Sequence, residues 1–155
     1  MGLYTDNAQP EGKSSSSALL GIISGYKKVQ ALFVAAKLWI AYILSKNPKT
    51  AHELAKATSV NSRSIYHLMC LLVSMGVFSA QKNDKFQLNP LGKYLLTDTS
   101  DSWWGTILGN ADEGYDVWGN LLYCVKTGES SCNNSFKMSV YSYFKHNSEA
   151  VRNFN

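Results

Sequence analysis

The chain has 155 residues, of which 45% are hydrophobic and 17% charged, which excludes a disordered polyelectrolyte and leaves room for one sizeable core. The net charge of +4 sits at one end: residues 1–60 carry seven lysines against three acids, and residues 61–155 carry eight basic against eight acidic residues. Such a mild bias is weak support for a nucleic-acid partner.

Residues 1–17 are polar and end in "KSSSS", the composition of a flexible tail. Order is expected from Ala18. "ALLGIISGYKKVQ" gives a first helix with Leu19, Ile22, Ile23 and Tyr26 on its apolar stripe. Gly21 and Gly25 lie four apart, which either admits another helix at close range or merely weakens this one.

"VQALFVAAKLWIAYIL" follows, apolar from Val29 to Leu44 with Lys37 inside it. It is shorter than the ~20 residues of a membrane span and lacks the flanks of a signal peptide. It is expected as one helix buried on nearly all sides. In a small domain that asks for a covering partner such as a second subunit. Asn47-Pro48 ends it.

Thr50 and Glu53 have the spacing of a capping box at the start of the next helix. A second helix begins near Asn61 or Ser62, with Ile65, Leu68, Met69, Leu72 and Met75 inward and Gly76 at its C-terminal cap. In "VFSAQKNDKFQLN", two short apolar runs flank a polar turn, a hairpin signal. Asn89 and Pro90 then open another helix, "PLGKYLL". Helix, turn, helix and hairpin in this order make a winged helix-turn-helix.

"DEGYDVWGNLLYCVKTG" is expected as one amphipathic helix with Tyr115, Trp118, Leu121, Leu122 and Val125 on one face, ended by Gly128. "SVYSYFKHN" and "SEAVRNFN" predict two more short helices. The fold class is therefore mostly α, with a short β-hairpin wing and additional helices.

A DNA reader of this shape would present its second helix outward. That face carries Arg63, Tyr66, His67, Cys70 and Ser74, with only one permanent cation. Asn61, Lys82 and Lys85 add little to a set that should offer Arg, Lys, Asn or Gln to bases and phosphates. Weak non-specific binding is the most this supports, and the frame is better explained as a reused scaffold.

No catalytic constellation stands out. Cys70, Cys124 and Cys132 are odd in number and have no CxxC spacing, which disfavours a disulfide framework or zinc site and fits a reducing cytoplasm. His52, His67 and His146 are scattered. Asp112, Glu113 and Asp116 sit at a helix start, where the macrodipole favours acids. Ser130 and Ser131 have no His partner at a useful spacing.

The order and spacing of these pieces resemble the N-terminal domain of S-adenosylmethionine-dependent small-molecule O-methyltransferases, the caffeate and hydroxyneurosporene type. The resemblance rests on "GYKKVQALFVAAKLWIAYIL", Thr50 to Ala55, "LMCLLVSMGVF", "FQLNPLGKYLL", Trp118 through "LLYCVKTGE", and "FKMSVYSYFKHNSEAVRNFN". It covers Ala18 to Asn155.

The resemblance implies a homodimer with intertwined N-terminal helices. It also implies a Rossmann-like catalytic domain, supplied in cis or trans, that binds S-adenosylmethionine. No Gly-rich donor-binding fingerprint occurs here, so residues 18–155 are expected to dimerise without catalysing alone. By the same resemblance, Trp118, Leu122, Tyr143, Phe144 and Phe154 are candidates to wall a pocket for a small aromatic or polyketide-like hydroxyl acceptor. The other explanation for each is core or interface packing. No residue is assigned to catalysis, cofactor binding or a metal. The alternative function is a stand-alone winged-helix DNA-binding regulator sensing a small ligand.

Overall fold

The computed structural model describes residues 15–147. The helix predicted over "SEAVRNFN", and Phe154 within it, lie outside the described residues. So does most of the predicted tail, although residues 15–17 already belong to the first helix.

Helices α1 (Ser15–Ile23) and α2 (Gly25–Lys37) meet at Ser24 with a bend of 42°. No single described helix is long and apolar enough to cross a membrane; this bent pair reaches the length only together. The apolar run expected as one helix is broken. α2 stops at Lys37, α3 (Ile40–Lys46) starts afresh, and Trp39 between them has φ +54°. Its inner side is buried: Ala31, Ala35 and Ala36 on α2, then Ile40, Ala41 and Leu44 on α3. Its outer side is not, since Val29, Val34, Trp39 and Tyr42 are exposed. Burial on nearly all sides therefore does not hold within one chain.

β1 (Lys49–Thr50) leads into α4 (Ala51–Thr58), and the capping box forms as its spacing predicts. The Thr50 backbone N–H donates to Glu53 Oε2 at 2.8 Å, and the Glu53 N–H donates to Thr50 Oγ1 at 3.3 Å. α5 (Ser62–Ser74) is capped by Asn61, whose Oδ1 accepts from the Ser64 N–H at 3.0 Å. Ile65, Met69 and Leu72 are buried on its inner face, and Leu68 and Met75 are half-buried. Gly76 follows the cap with φ +75°, a value glycine adopts without strain.

The wing is β2 (Phe78–Ala80) and β3 (Lys85–Leu88), antiparallel, with Phe78 opposite Leu88 and Ala80 opposite Phe86. β1 adds to the far side of β3, giving the order β1-β3-β2. A two-residue strand carries too little periodicity to be seen in the sequence. Asn89 ties the wing to the next turn: its amide donates to Gly76 O, and its Oδ1 accepts from Gly92 N–H at 2.9 Å. The helix expected here is a single 3-10 turn, Gly92–Leu95. Gly92 lets that turn lie against the sheet, because a Cβ there would meet Val77 O at 2.6 Å. The main core joins α2, α3, α4, α5, the wing and this turn through Leu54, Ile65, Met69, Leu72, Phe78 and Phe86.

α6 (Trp104–Ala111) packs on α2. The amphipathic helix expected next is two helices, α7 (Glu113–Gly119) and α8 (Leu121–Thr127), parted at Asn120. Gly119 and Asn120 are weak helix formers, and the Asn120 amide finds other partners. It donates to Asp116 O at 2.9 Å and to Ser135 Oγ at 3.0 Å. Ser135 belongs to α9 (Ser131–Phe136), a helix absent from the sequence expectation; α10 (Val140–His146) is the predicted "SVYSYFKHN" helix. Gly128 ends α8 with φ +74°, as expected.

Candidate interface and acceptor surface

Two apolar surfaces and one groove stand out. α1 buries none of its residues, and Leu19, Leu20, Ile22 and Ile23 are all more than half exposed, Ile22 at 77%. A nine-residue helix with no buried face is not held by propensity alone. α2 is by contrast firmly seated. Gln30 Nε2 donates to Ala111 O at 2.9 Å, and the Lys37 ammonium lies 3.6 Å from the Asp112 carboxylate and 5.5 Å from the centre of the Phe33 ring. Asp112, expected to answer a helix dipole, thus also meets a cation across two elements. At the α2–α3 break, Trp39 meets Trp104 at 5.2 Å between ring centroids and Tyr42 edge-on at 6.2 Å. The Trp104 indole N–H donates to Ala36 O at 3.3 Å.

The groove has a volume of about 490 Å³ and is lined by Leu32, Val77, Leu91, Tyr94, Leu95, Trp103 and Ile107. Sequence patterning did not find it, because these residues come from α2, the start of the wing, the 3-10 turn and α6. Leu91 and Trp103 are about half exposed. The lining is apolar apart from the Tyr94 hydroxyl and the Trp103 indole N–H, so its natural filling is another largely apolar surface.

The second surface runs along α7 and α8. Tyr115, Trp118, Leu121, Leu122 and Val125 are all exposed, Trp118 at 68% and Leu122 at 66%. Of the side chains described between residues 113 and 147, only Ser131 is buried. These helices therefore do not build a second core among the described residues. The sequence-derived pocket candidates divide accordingly. Trp118 and Leu122 are presented on this surface. Tyr143 is half-buried on α10, stacked on Phe136 at 3.9 Å with the rings 12° apart, and its hydroxyl accepts from Asn147 Nδ2 at 2.9 Å. The Phe144 side chain and Phe154 lie outside the described residues.

The outward face of α5 has the composition expected of it. Arg63, Tyr66, His67, Cys70 and Ser74 are exposed, and Asn61 is engaged as a cap. A cleft of about 260 Å³ separates α5 from the wing, with Tyr66, Cys70 and Asp84 on its walls. The Cys70 side chain bonded to the Tyr66 hydroxyl, followed by the fields of Cys70 and Asp84 and partial burial, pushes that phenol up from its usual value. An acid in the cleft where a phosphate backbone would approach opposes DNA binding. Among the described residues, no three of His, Cys, Asp and Glu converge to hold a metal.

One carboxyl is tuned. The Thr50 backbone N–H holds the Glu53 carboxyl below the usual range; partial burial opposes this, and the Thr50 hydroxyl, Lys49 and Lys85 assist. A depressed carboxylate contributes stability above its unfolded pKa and loses it as pH falls through the folded one. The stability gap between the parent chain and Glu53→Ala is therefore expected to be full above pH ~5 and to shrink as pH falls through the lowered folded value. Urea midpoints through the acid range test it; a gap that never shrinks as the pH falls would assign the effect to packing.

Comparison with known proteins places this geometry. Residues 20–98 match the family model described as the O-methyltransferase dimerisation domain. The phenazine O-methyltransferase PhzM of Lysobacter antibioticus is 34% identical over 151 residues, covering 97% of this chain and 44% of that protein. The crystal structure of LaPhzM superposes with a TM-score of 0.87 at 34% identity, over 92% of this chain and 43% of that one. Human N-acetylserotonin methyltransferase, solved in complex with SAM, shares the fold at a TM-score of 0.82 and 17% identity, over 94% of this chain and 45% of that one. The chain spans less than half the length of each.

Proposed function

Because this chain belongs to the O-methyltransferase dimerisation-domain family, we propose that it joins two copies of an S-adenosylmethionine-dependent O-methyltransferase and lends side chains to an acceptor pocket. The observation that carries this is α1. It is apolar, has no buried residue, and belongs to a chain whose apolar groove is open. A homodimer in which α1 of each copy covers apolar surface on the other answers both exposures in one isologous contact. Sedimentation equilibrium on the purified chain tests it. A dimer at micromolar concentration is expected; a monomer there would overturn the assignment.

Among the described residues, no set fits S-adenosylmethionine. The donor offers a sulfonium, a carboxylate, an ammonium and a ribose diol, and these call for several converging polar groups. The apolar groove supplies one hydroxyl and one indole N–H. A polar cleft of about 240 Å³ beside Lys49, Gln81 and Lys85 has its Glu53 carboxylate already occupied by Thr50. Donor binding and methyl transfer are therefore assigned to a catalytic domain in cis or trans, in a cytoplasmic enzyme of secondary metabolism.

The acceptor is proposed to be a small aromatic or polyketide-like hydroxyl compound. Trp118 and Leu122 offer it flat and branched apolar contacts, with Tyr143, Phe144 and Phe154 as further candidates. In the enzyme that joins this chain to its donor-binding domain, Trp118→Ala is expected to raise the acceptor KM about tenfold with a smaller change in kcat. An unchanged KM would remove Trp118 from the pocket. The regulator alternative draws no support from the relatives, and the cleft acid Asp84 and the engaged Asn61 count against it.

A further inference from the structure

Trp39 occupies a backbone conformation that its residue type resists. Its φ of +54° and ψ of +32° lie in the left-handed region. There a Cβ crowds the following carbonyl, and glycine or asparagine is the ordinary occupant. The core does not compensate for this, since the residue is 46% exposed between the buried Ala36 and Ile40. Its ring contacts are aromatic: Trp104 at 5.2 Å and Tyr42 at 6.2 Å. Trp104 is fixed in turn by its hydrogen bond to Ala36 O. A large indole is thus held in one orientation with nearly half its surface in water.

A preordered, half-exposed tryptophan is the side chain that contributes most when a protein surface becomes covered. Strained non-glycine positions of this kind concentrate where a side chain is needed for a task other than packing. The surrounding surface has the right size. With the exposed apolar side chains of α1, α2 and α3 from Leu19 to Tyr42, it leaves on the order of 900 Å² to cover, near the ~800 Å² that each partner of a specific complex buries.

We infer that Trp39 is an anchor of the contact between two copies of this chain, held ready by the left-handed break between α2 and α3. The inference rests on the homodimer proposed above and extends that interface from α1 to the α2–α3 corner. The occupant is a second copy, because residues 20–98, Trp39 among them, match the O-methyltransferase dimerisation domain, and the exposed apolar area from Leu19 to Tyr42 is of the size one side of a dimer buries.

The test compares the dimer dissociation constants of the parent chain, Trp39→Gly, Trp39→Asn and Trp39→Phe by sedimentation equilibrium, with circular dichroism as the control for folding. Glycine and asparagine suit the left-handed backbone, so both monomers should stay folded. If one fails to fold, the other carries the test. The expected result is a dissociation constant raised at least tenfold by Trp39→Gly and Trp39→Asn, and by less for Trp39→Phe, which keeps an aromatic ring. A parent chain that dimerises with an affinity unchanged in all three variants would overturn the anchor and leave the dimer standing. A parent chain that is monomeric would overturn both.

Discussion

Ile22→Asp is expected to abolish the dimer while leaving the monomer folded. Ile22 is 77% exposed on a helix that buries nothing, so an aspartate there meets water in the single chain. Surface changes of this kind alter stability by roughly 0.5 kcal/mol or less. In the proposed dimer α1 is covered, and a twofold contact would place two such carboxylates at once. Each would lose its hydration without a partner, at a cost of several kcal/mol. Even ~4 kcal/mol in total is about a thousandfold in dissociation constant. Sedimentation equilibrium measures the affinity, and urea unfolding of dilute protein checks the monomer. A variant that dimerises like the parent would place α1 outside the interface. One that unfolds when dilute would give Ile22 a structural role that its exposure contradicts.

Which parts of this fold were legible depends on how local their causes are. The Thr50–Glu53 box and Gly76 after α5 are each set by residues within a few positions of one another, and both form as the spacing predicts; the helix start near Asn61 or Ser62 is local in the same way. The hairpin was legible for the same reason: its turn and its two apolar runs adjoin. The break at Trp39 was not. "KLWIA" holds no proline, glycine or asparagine, and the contact that orients the indole comes from Trp104, 65 positions along the chain. The break at Asn120 did have a signal, since Gly119-Asn120 interrupts an otherwise periodic run. The apolar face survives that break, since Trp118 and Leu122 stay exposed on adjoining helices.

The candidate site was legible only in part. Patterning finds the apolar residues of one helix, Trp118 and Leu122 among them, but only the family resemblance made these two candidates for a pocket. It does not find a groove whose walls lie as far apart in sequence as Leu32 and Ile107. Nor does it separate a ring offered to a ligand from one stacked inside the chain, as Tyr143 is on Phe136. An exposed apolar face and a buried one have the same periodicity; the difference appears only when the covering elements are placed.

Phe78→Ala is expected to have the largest effect on stability and to weaken the dimer indirectly. Phe78 is 1% exposed on β2 opposite Leu88, and its ring lies 3.1 Å from where a Gly92 Cβ would stand. The ring therefore fills the joint between the wing and the 3-10 turn. Removing it leaves a cavity that this closely packed joint cannot collapse to fill, and phenylalanine-to-alanine changes of this kind cost ~3–5 kcal/mol. Against a domain stability of ~5–15 kcal/mol, that can unfold a sizeable fraction of dilute protein. The neighbours Val77 and Leu95 wall the groove, so its shape should loosen with the joint. Because association stabilises only the folded state, the variant's unfolding midpoint should rise with protein concentration. Urea unfolding at two concentrations tests both parts. A loss below ~1 kcal/mol would mean that the joint closes over the gap. A normal loss with the parent's concentration dependence retained in full would separate this core from the dimer contact and place the partner's helix elsewhere than the groove.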